Sequence, residues 1–264
     1  MKKALLLPLL LAAATLGTEN ATAVVLVNET WEDYADGATP TAPWVTWTGS
    51  PSGSQGSVTV TDALSSPFST GTKSVLLNGT ANSGSSLSHN FAATDSPLFV
   101  SFDFYLPAGA GTLPSLTLAG STGSGGPLSA GVTLNLTNSF LGAPNQIVNQ
   151  GGSWSEGVII APSQTGRWFH IELTTAPISS ALDTYTITVT PYGGTPVTVT
   201  DLAFRNQLVN VSKIEFSWNS NAGVGSMYID NIYVATVPEP STALLAGACG
   251  LFVLLPRRAR GRTV

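Results

Sequence analysis

The sequence predicts an all-β chain folded as two stacked antiparallel sheets. Three observations carry that expectation. Only 9% of the 264 residues are charged while 43% are hydrophobic, so polarity comes from Gly, Ser, Thr, Asn and Pro. Helix surfaces favour Glu, Lys, Arg and Gln, and helix interiors exclude the Gly and Pro that number 27 and 17 here. The hydrophobic content also excludes a disordered chain. Apolar and polar residues alternate with a period of two in several stretches, the mark of half-buried antiparallel strands. No stretch between Val24 and Val237 reads as a helix longer than a turn. A dozen or more strands without helices in one domain bury their apolar faces as two stacked sheets.

Taken in order, candidate strands fall at Val24–Asn28, Trp44–Trp47, Ser57–Thr61, Ser74–Asn78 and Ser86–Phe91. The alternation is clearest from Leu98 to Leu106, where Leu98, Val100, Phe102, Phe104 and Leu106 share one face. Gly131–Thr137, Gly157–Ile160 and Arg167–Thr174 follow. In the last of these Phe169, Ile171 and Leu173 form the apolar face, which sends Trp168 and His170 to the other. From Asp183 to Thr190, Tyr185, Ile187 and Val189 face inward with threonines opposite. Pro196–Thr200, Ile214–Trp218 and Met227–Val234 complete the series. The turns between them carry Gly, Pro, Asn and Ser, as their backbone angles require.

The two ends are of another kind. Lys2 and Lys3 precede an apolar run from Ala4 to about Leu16, and Ala21-Thr22-Ala23 is a small-x-small site. These are the parts of a secretory signal peptide, residues 1–23, with cleavage after Ala23. At the other end, Thr242 to Leu255 is an uncharged apolar run of 14 residues, followed by Pro256, Arg257, Arg258, Arg260 and Arg262. A full membrane span takes about 20 apolar residues, so this one is marginal. The arginines orient it, because cationic flanks stay in the cytoplasm and the body then lies outside.

Pro238-Glu239-Pro240, the apolar helix at 242–255 and the basic tail at 257–264 together resemble the PEP-CTERM sorting signal of Gram-negative bacteria, here residues 237–264. The resemblance implies processing near Pro238, Glu239 and Pro240 by an exosortase-type enzyme and an association with exopolysaccharide. Cys249, the only cysteine, lies in the apolar helix, so the exported body has no internal disulfide.

From Val24 to Val237 there are 214 residues, one sandwich's worth, and the domain is placed at 24–236. The body retains Lys73, Arg167, Arg205 and Lys213 against 13 acids, a net charge near −9. Such a surface repels nucleic acid and anionic lipid and suits neutral glycans or divalent cations. The segment Trp168-Phe-His-Ile-Glu-Leu173, the strand Tyr185–Val189 and the terminal Ile229–Val234 resemble the concanavalin A-like jelly roll, laminin-G-like domains included. The resemblance implies a two-sheet jelly-roll sandwich whose first and last strands are neighbours.

Two acidic spots bear on metal binding. Glu29, Glu32, Asp33 and Asp36 precede Gly37, and Asp230-Asn231 lies near the body's end. Calcium takes six to eight oxygens. Glu32, Asp230 and carbonyls around Asp36 and Gly37 would supply them if the terminal strands meet, and the resemblance implies one structural calcium there. The alternative is that these acids are solvated and cap turns.

Catalytic patterns are scarce. Asp103, Glu172, Glu215 and Asp230 are expected to stand singly, without the paired carboxylates that glycoside hydrolysis needs. Only His89 and His170 are available as imidazole bases, neither with a His or Cys at metal-ligand spacing, and no Gly-x-Ser-x-Gly string occurs. Of six tryptophans, Trp31 and Trp218 read as core, whereas Trp154 in a Gly-rich loop and Trp168 with His170 are candidate glycan contacts. The expectation is an exported, non-catalytic envelope or extracellular-matrix protein, held in the inner membrane by its C-terminus before processing. The alternatives are a carbohydrate-binding module and a glycan-active hydrolase or lyase.

Overall fold

The computed structural model describes residues 22–49, 56–79, 84–107, 114–136, 146–150, 157–162, 165–178, 183–218 and 225–238. The leader to residue 21, Trp154, Glu239, Pro240, the apolar run 242–255 and the four tail arginines lie outside these. Among the described residues no helix is long and apolar enough to cross a membrane.

The described residues form fifteen strands in chain order: β1 (Val25–Glu29), β2 (Trp44–Gly49), β3 (Ser57–Thr61), β4 (Ser74–Gly79), β5 (Gly84–Thr94), β6 (Leu98–Leu106), β7 (Pro114–Gly120), β8 (Ser129–Asn135), β9 (Gln146–Gln150), β10 (Gly157–Pro162), β11 (Arg167–Thr175), β12 (Thr184–Pro191), β13 (Val197–Ala203), β14 (Val211–Trp218) and β15 (Gly225–Thr236). Alternation placed most of them within a few residues. β7 and β9 were not anticipated. In β7 only Leu116 and Leu118 alternate before a Gly-rich run, and in β9 Ile147 and Val148 are adjacent, which breaks the period of two.

The strands build the jelly-roll sandwich of two antiparallel sheets. One has the order β13-β12-β11-β6-β15-β4-β3, with β1 also on β15; the other runs β10-β9-β8-β7-β14-β5-β2. β15 has β6 along one side. Its other side is shared by β4, over Gly225–Ile229, and β1, over Ile232–Ala235. First and last strands are therefore neighbours.

The core fills the space between the sheets. Phe102 of β6 meets Phe216 of β14 edge-on at 5.1 Å, and Phe104 stacks on Phe169 at 5.2 Å. Trp31 and Trp218 are fully buried, as their sequence context suggested. Gly79 ends β4 against the Trp218 indole, where any Cβ would overlap the ring. With the odd-numbered residues of β11 turned into this core, Trp168, His170 and Glu172 stand on the outer face of the eight-stranded sheet.

Candidate functional site

Strand register assembles two rows across that outer face. Thr190, His170, Asp103 and Asp230 succeed one another on β12, β11, β6 and β15. One pleat away run Trp168, Tyr105 and Tyr228. Tyr105 meets Trp168 at 5.6 Å and Tyr228 at 6.0 Å, so the three rings form a continuous aromatic strip. A polar row and an aromatic strip thus lie side by side.

Asp103 is the hub of the polar row. It is 1% exposed, and its Oδ1 lies 2.6 Å from His170 Nδ1. Its Oδ2 accepts from Ser66 Oγ at 2.6 Å and from Asn231 Nδ2 at 2.5 Å. Asn231 reaches inward because β15 bulges between Asp230 and Tyr233, which gives Asn231 a φ of 52°. The hydrogen bond to Asp103 raises the His170 pKa, outweighing the opposing effect of burial. With Nδ1–H donated to a carboxylate, Nε2 is the ring nitrogen left for a ligand, 3.8 Å from Glu172 Oε1. Asp230 accepts from the backbone N–H of Ser66 and of Asn231. Burial, with the charges of Asp103 and Glu32, pushes its pKa up to about 7 against those hydrogen bonds.

The expectation of isolated acids is therefore corrected. Asp103 and Asp230 face each other in register, although 127 positions separate them in the chain. Glu172 borders His170, and Glu215 pairs with Lys213. Ser66 bonds to the carboxylate rather than to His170 Nε2, so these three side chains are not ordered as an acyl-transfer triad.

The segment between β3 and β4 straps this face. Ser66 ties it to Asp103 and Asp230, while Phe68 lies 5.5 Å from His170 and 5.6 Å from Tyr192. Phe68 and Tyr192 are 37% and 52% exposed, so the rim offers accessible rings. Trp168, by contrast, is only 6% exposed and backs Tyr105.

The residues considered for calcium are engaged with backbone. Glu32 accepts from the N–H groups of Thr72 and Lys73 and from Thr72 Oγ1; burial pushes its pKa up, but these donors prevail and hold it below the usual range. Asp36 accepts from Asp62 N at 3.2 Å, and Gly37, at φ 76°, donates to the Val60 carbonyl. Among the described residues no three His, Cys, Asp or Glu side chains are grouped for a metal ion. Glu29 caps Trp31 N and accepts from Trp44 Nε1. His89 packs edge-on against Trp44, and burial depresses its pKa.

Comparison by sequence with known families and with curated proteins gives no match. Comparison of structures does. The chain is similar to an endo-β-1,4-glucuronan lyase from the fungus Trichoderma reesei at 15% identity, over 78% of this chain and 96% of that one, with a TM-score of 0.50. It is similar to the alginate lyase Aly36B at 11% identity, over 82% and 97%, with a TM-score of 0.50. The lectin UEA-II, solved with galactose, matches at 11% identity over 83% and 100%, with a TM-score of 0.52. At these identities the likeness is one of fold. The folds matched are those of proteins that cleave or hold saccharides, and the expectation of a non-catalytic envelope or matrix protein gives way to its carbohydrate-directed alternatives.

Proposed function

We propose that the chain is a carbohydrate-binding module that contacts neutral saccharides through the outer face of its eight-stranded sheet. The observation that carries this is the strip Trp168–Tyr105–Tyr228 lying one pleat from His170, Asp103 and Asn231. Sugar rings present an apolar face that stacks on aromatic side chains and an edge of hydroxyls that needs hydrogen-bonding partners. Phe68 and Tyr192 add exposed rings at the rim. Neither row contains Lys or Arg, and the exposed charge beside His170 is the carboxylate of Glu172, so the face offers a uronate little beyond the one imidazole. The fold shared with a galactose-bound lectin supports the same reading.

Affinity electrophoresis through gels containing neutral polysaccharides tests it. The protein is expected to be retarded, and Tyr105→Ala with Tyr228→Ala to lose about tenfold in association, the size of one good ring contact. Unchanged retardation in that double variant would refute the assignment.

The His170–Asp103 pair supports a second reading, a glycan-active enzyme in which Nε2 moves a proton. Product release from a polysaccharide panel that vanishes in His170→Gln would establish that reading over simple binding.

A further inference from the structure

The seven-stranded sheet has an outer face of a different character. Register lines up Trp47, Ser86, Ser217, Ser115 and Asn135 across β2, β5, β14, β7 and β8. A parallel row two residues along holds Val45, Ser88, Glu215, Thr117 and Thr133. Between Val45 and Trp47 at one end and Thr133 and Asn135 at the other, the side chains are hydroxyls apart from Glu215. Five strands at the usual spacing of about 4.8 Å make this floor about 19 Å across.

Three features give the floor a direction and a chemistry. Trp47, on edge strand β2, is 56% exposed, the most exposed of the large apolar side chains described. At the far end Asn135 and Thr133 are 2% and 4% exposed, and Asn135 Nδ2 and Thr133 Oγ1 make no hydrogen bond. The face therefore passes from an open aromatic rim to an end whose polar atoms are buried, so its accessible part is the Trp47 side. Ser115 and Ser217 share one hydrogen bond at 2.8 Å, which leaves each hydroxyl oxygen with lone pairs for a ligand. Glu215 pairs with Lys213 two residues along the same strand, so the ion pair cancels its own charge.

We infer that this face is a second saccharide-binding surface, distinct from that of the eight-stranded sheet, on which a neutral polysaccharide chain stacks on Trp47 and lies across the serine and threonine floor. Hydroxyl side chains both donate and accept, which matches the hydroxyl edge of a neutral sugar. An anionic chain would find no uncompensated cation in the two rows. The two faces belong to opposite sheets of the sandwich, so occupation of both makes one molecule bivalent.

The full chain, run in native gels containing hydroxyethylcellulose, galactomannan or soluble starch, tests this apart from the first site. In a Tyr105→Ala, Tyr228→Ala background, retardation by at least one of these polymers is expected to persist. Adding Trp47→Ala should cut the remaining association about tenfold, and Trp47→Phe should restore most of it, since the aromatic face is what stacks. Trp47 is exposed at a sheet edge, so these variants keep the parent's melting temperature. Ser86→Arg, which fills the floor beside Trp47, should abolish the residual retardation. Loss of all retardation in the Tyr105/Tyr228 background would overturn the second surface and leave the first standing. Persistence that is indifferent to both Trp47→Ala and Ser86→Arg would overturn it as well.

Discussion

His170 and Asp103 show what a single contact does to a residue. In sequence His170 has no His or Cys at ligand spacing, yet β6 and β11 place a buried carboxylate against its Nδ1. That hydrogen bond favours the protonated ring and raises the pKa above its ordinary value near 6.5. The folded state then holds the proton more tightly than the unfolded chain. This stabilising contribution is complete below pH about 6.5 and is lost as pH rises through the folded-state value. Melting temperatures measured from pH 5 to pH 9 should fall more steeply in the parent than in His170→Gln. Parallel curves would show that the Asp103 contact does not bias protonation. Asp230, raised by burial, slopes in the same direction but is present in both proteins, so the difference isolates His170.

At the scale of elements, the strap between β3 and β4 and the bulge in β15 convert a plain sheet face into a site. The bulge turns Asn231 onto Asp103; the strap brings Ser66 between two carboxylates and Phe68 onto His170. Ser66 is 2% exposed, and its Oγ donates to Asp103 while accepting from Phe68 N at 3.1 Å. Ser66→Ala removes both contacts and leaves Asp103 short of a donor, at a cost of about 2 kcal/mol. Denaturant titration should show that loss. Hydrogen exchange should show faster exchange at the amides of Phe68 and Ser66 with little change in β6. Uniform loss of protection across β6, β11 and β15 would mean that the strap is part of the global core rather than a separately anchored element. None of this was legible in the chain order. A bulge depends on how β15 divides its pairing between β4 and β1, and the strap's partners lie 37 and 164 positions away.

The molecule as a whole carries a body near −9 with only four cations, and that sets its long-range preferences. Of the four, Lys213 pairs with Glu215, Lys73 is turned onto the carbonyls of Glu32 and Tyr34, and Arg167 onto that of Tyr192. Polyanions are therefore repelled at a distance and find little to hold them on contact. Association with neutral polysaccharide should be nearly independent of salt. Retardation by alginate should be absent at low ionic strength and should rise, if at all, only once screening shortens the repulsion to about 8 Å. Alginate binding that is strongest at low salt would contradict this charge argument.

What the chain order determined is the class of fold and the direction in which side chains face. Alternation is a local property with a period of two, so Phe169, Ile171 and Leu173 had to turn inward and Trp168 and His170 outward once β11 formed. Composition was enough to predict the all-strand character that the described residues show, and it set the charge. Which outward residues become neighbours was decided by register between strands far apart in sequence, and register follows from the packing of the whole core. It is why Asp103 and Asp230 read as lone acids yet form one buried pair, and why Trp47 and the serine rows of the opposite sheet gave no signal until the strands were laid side by side.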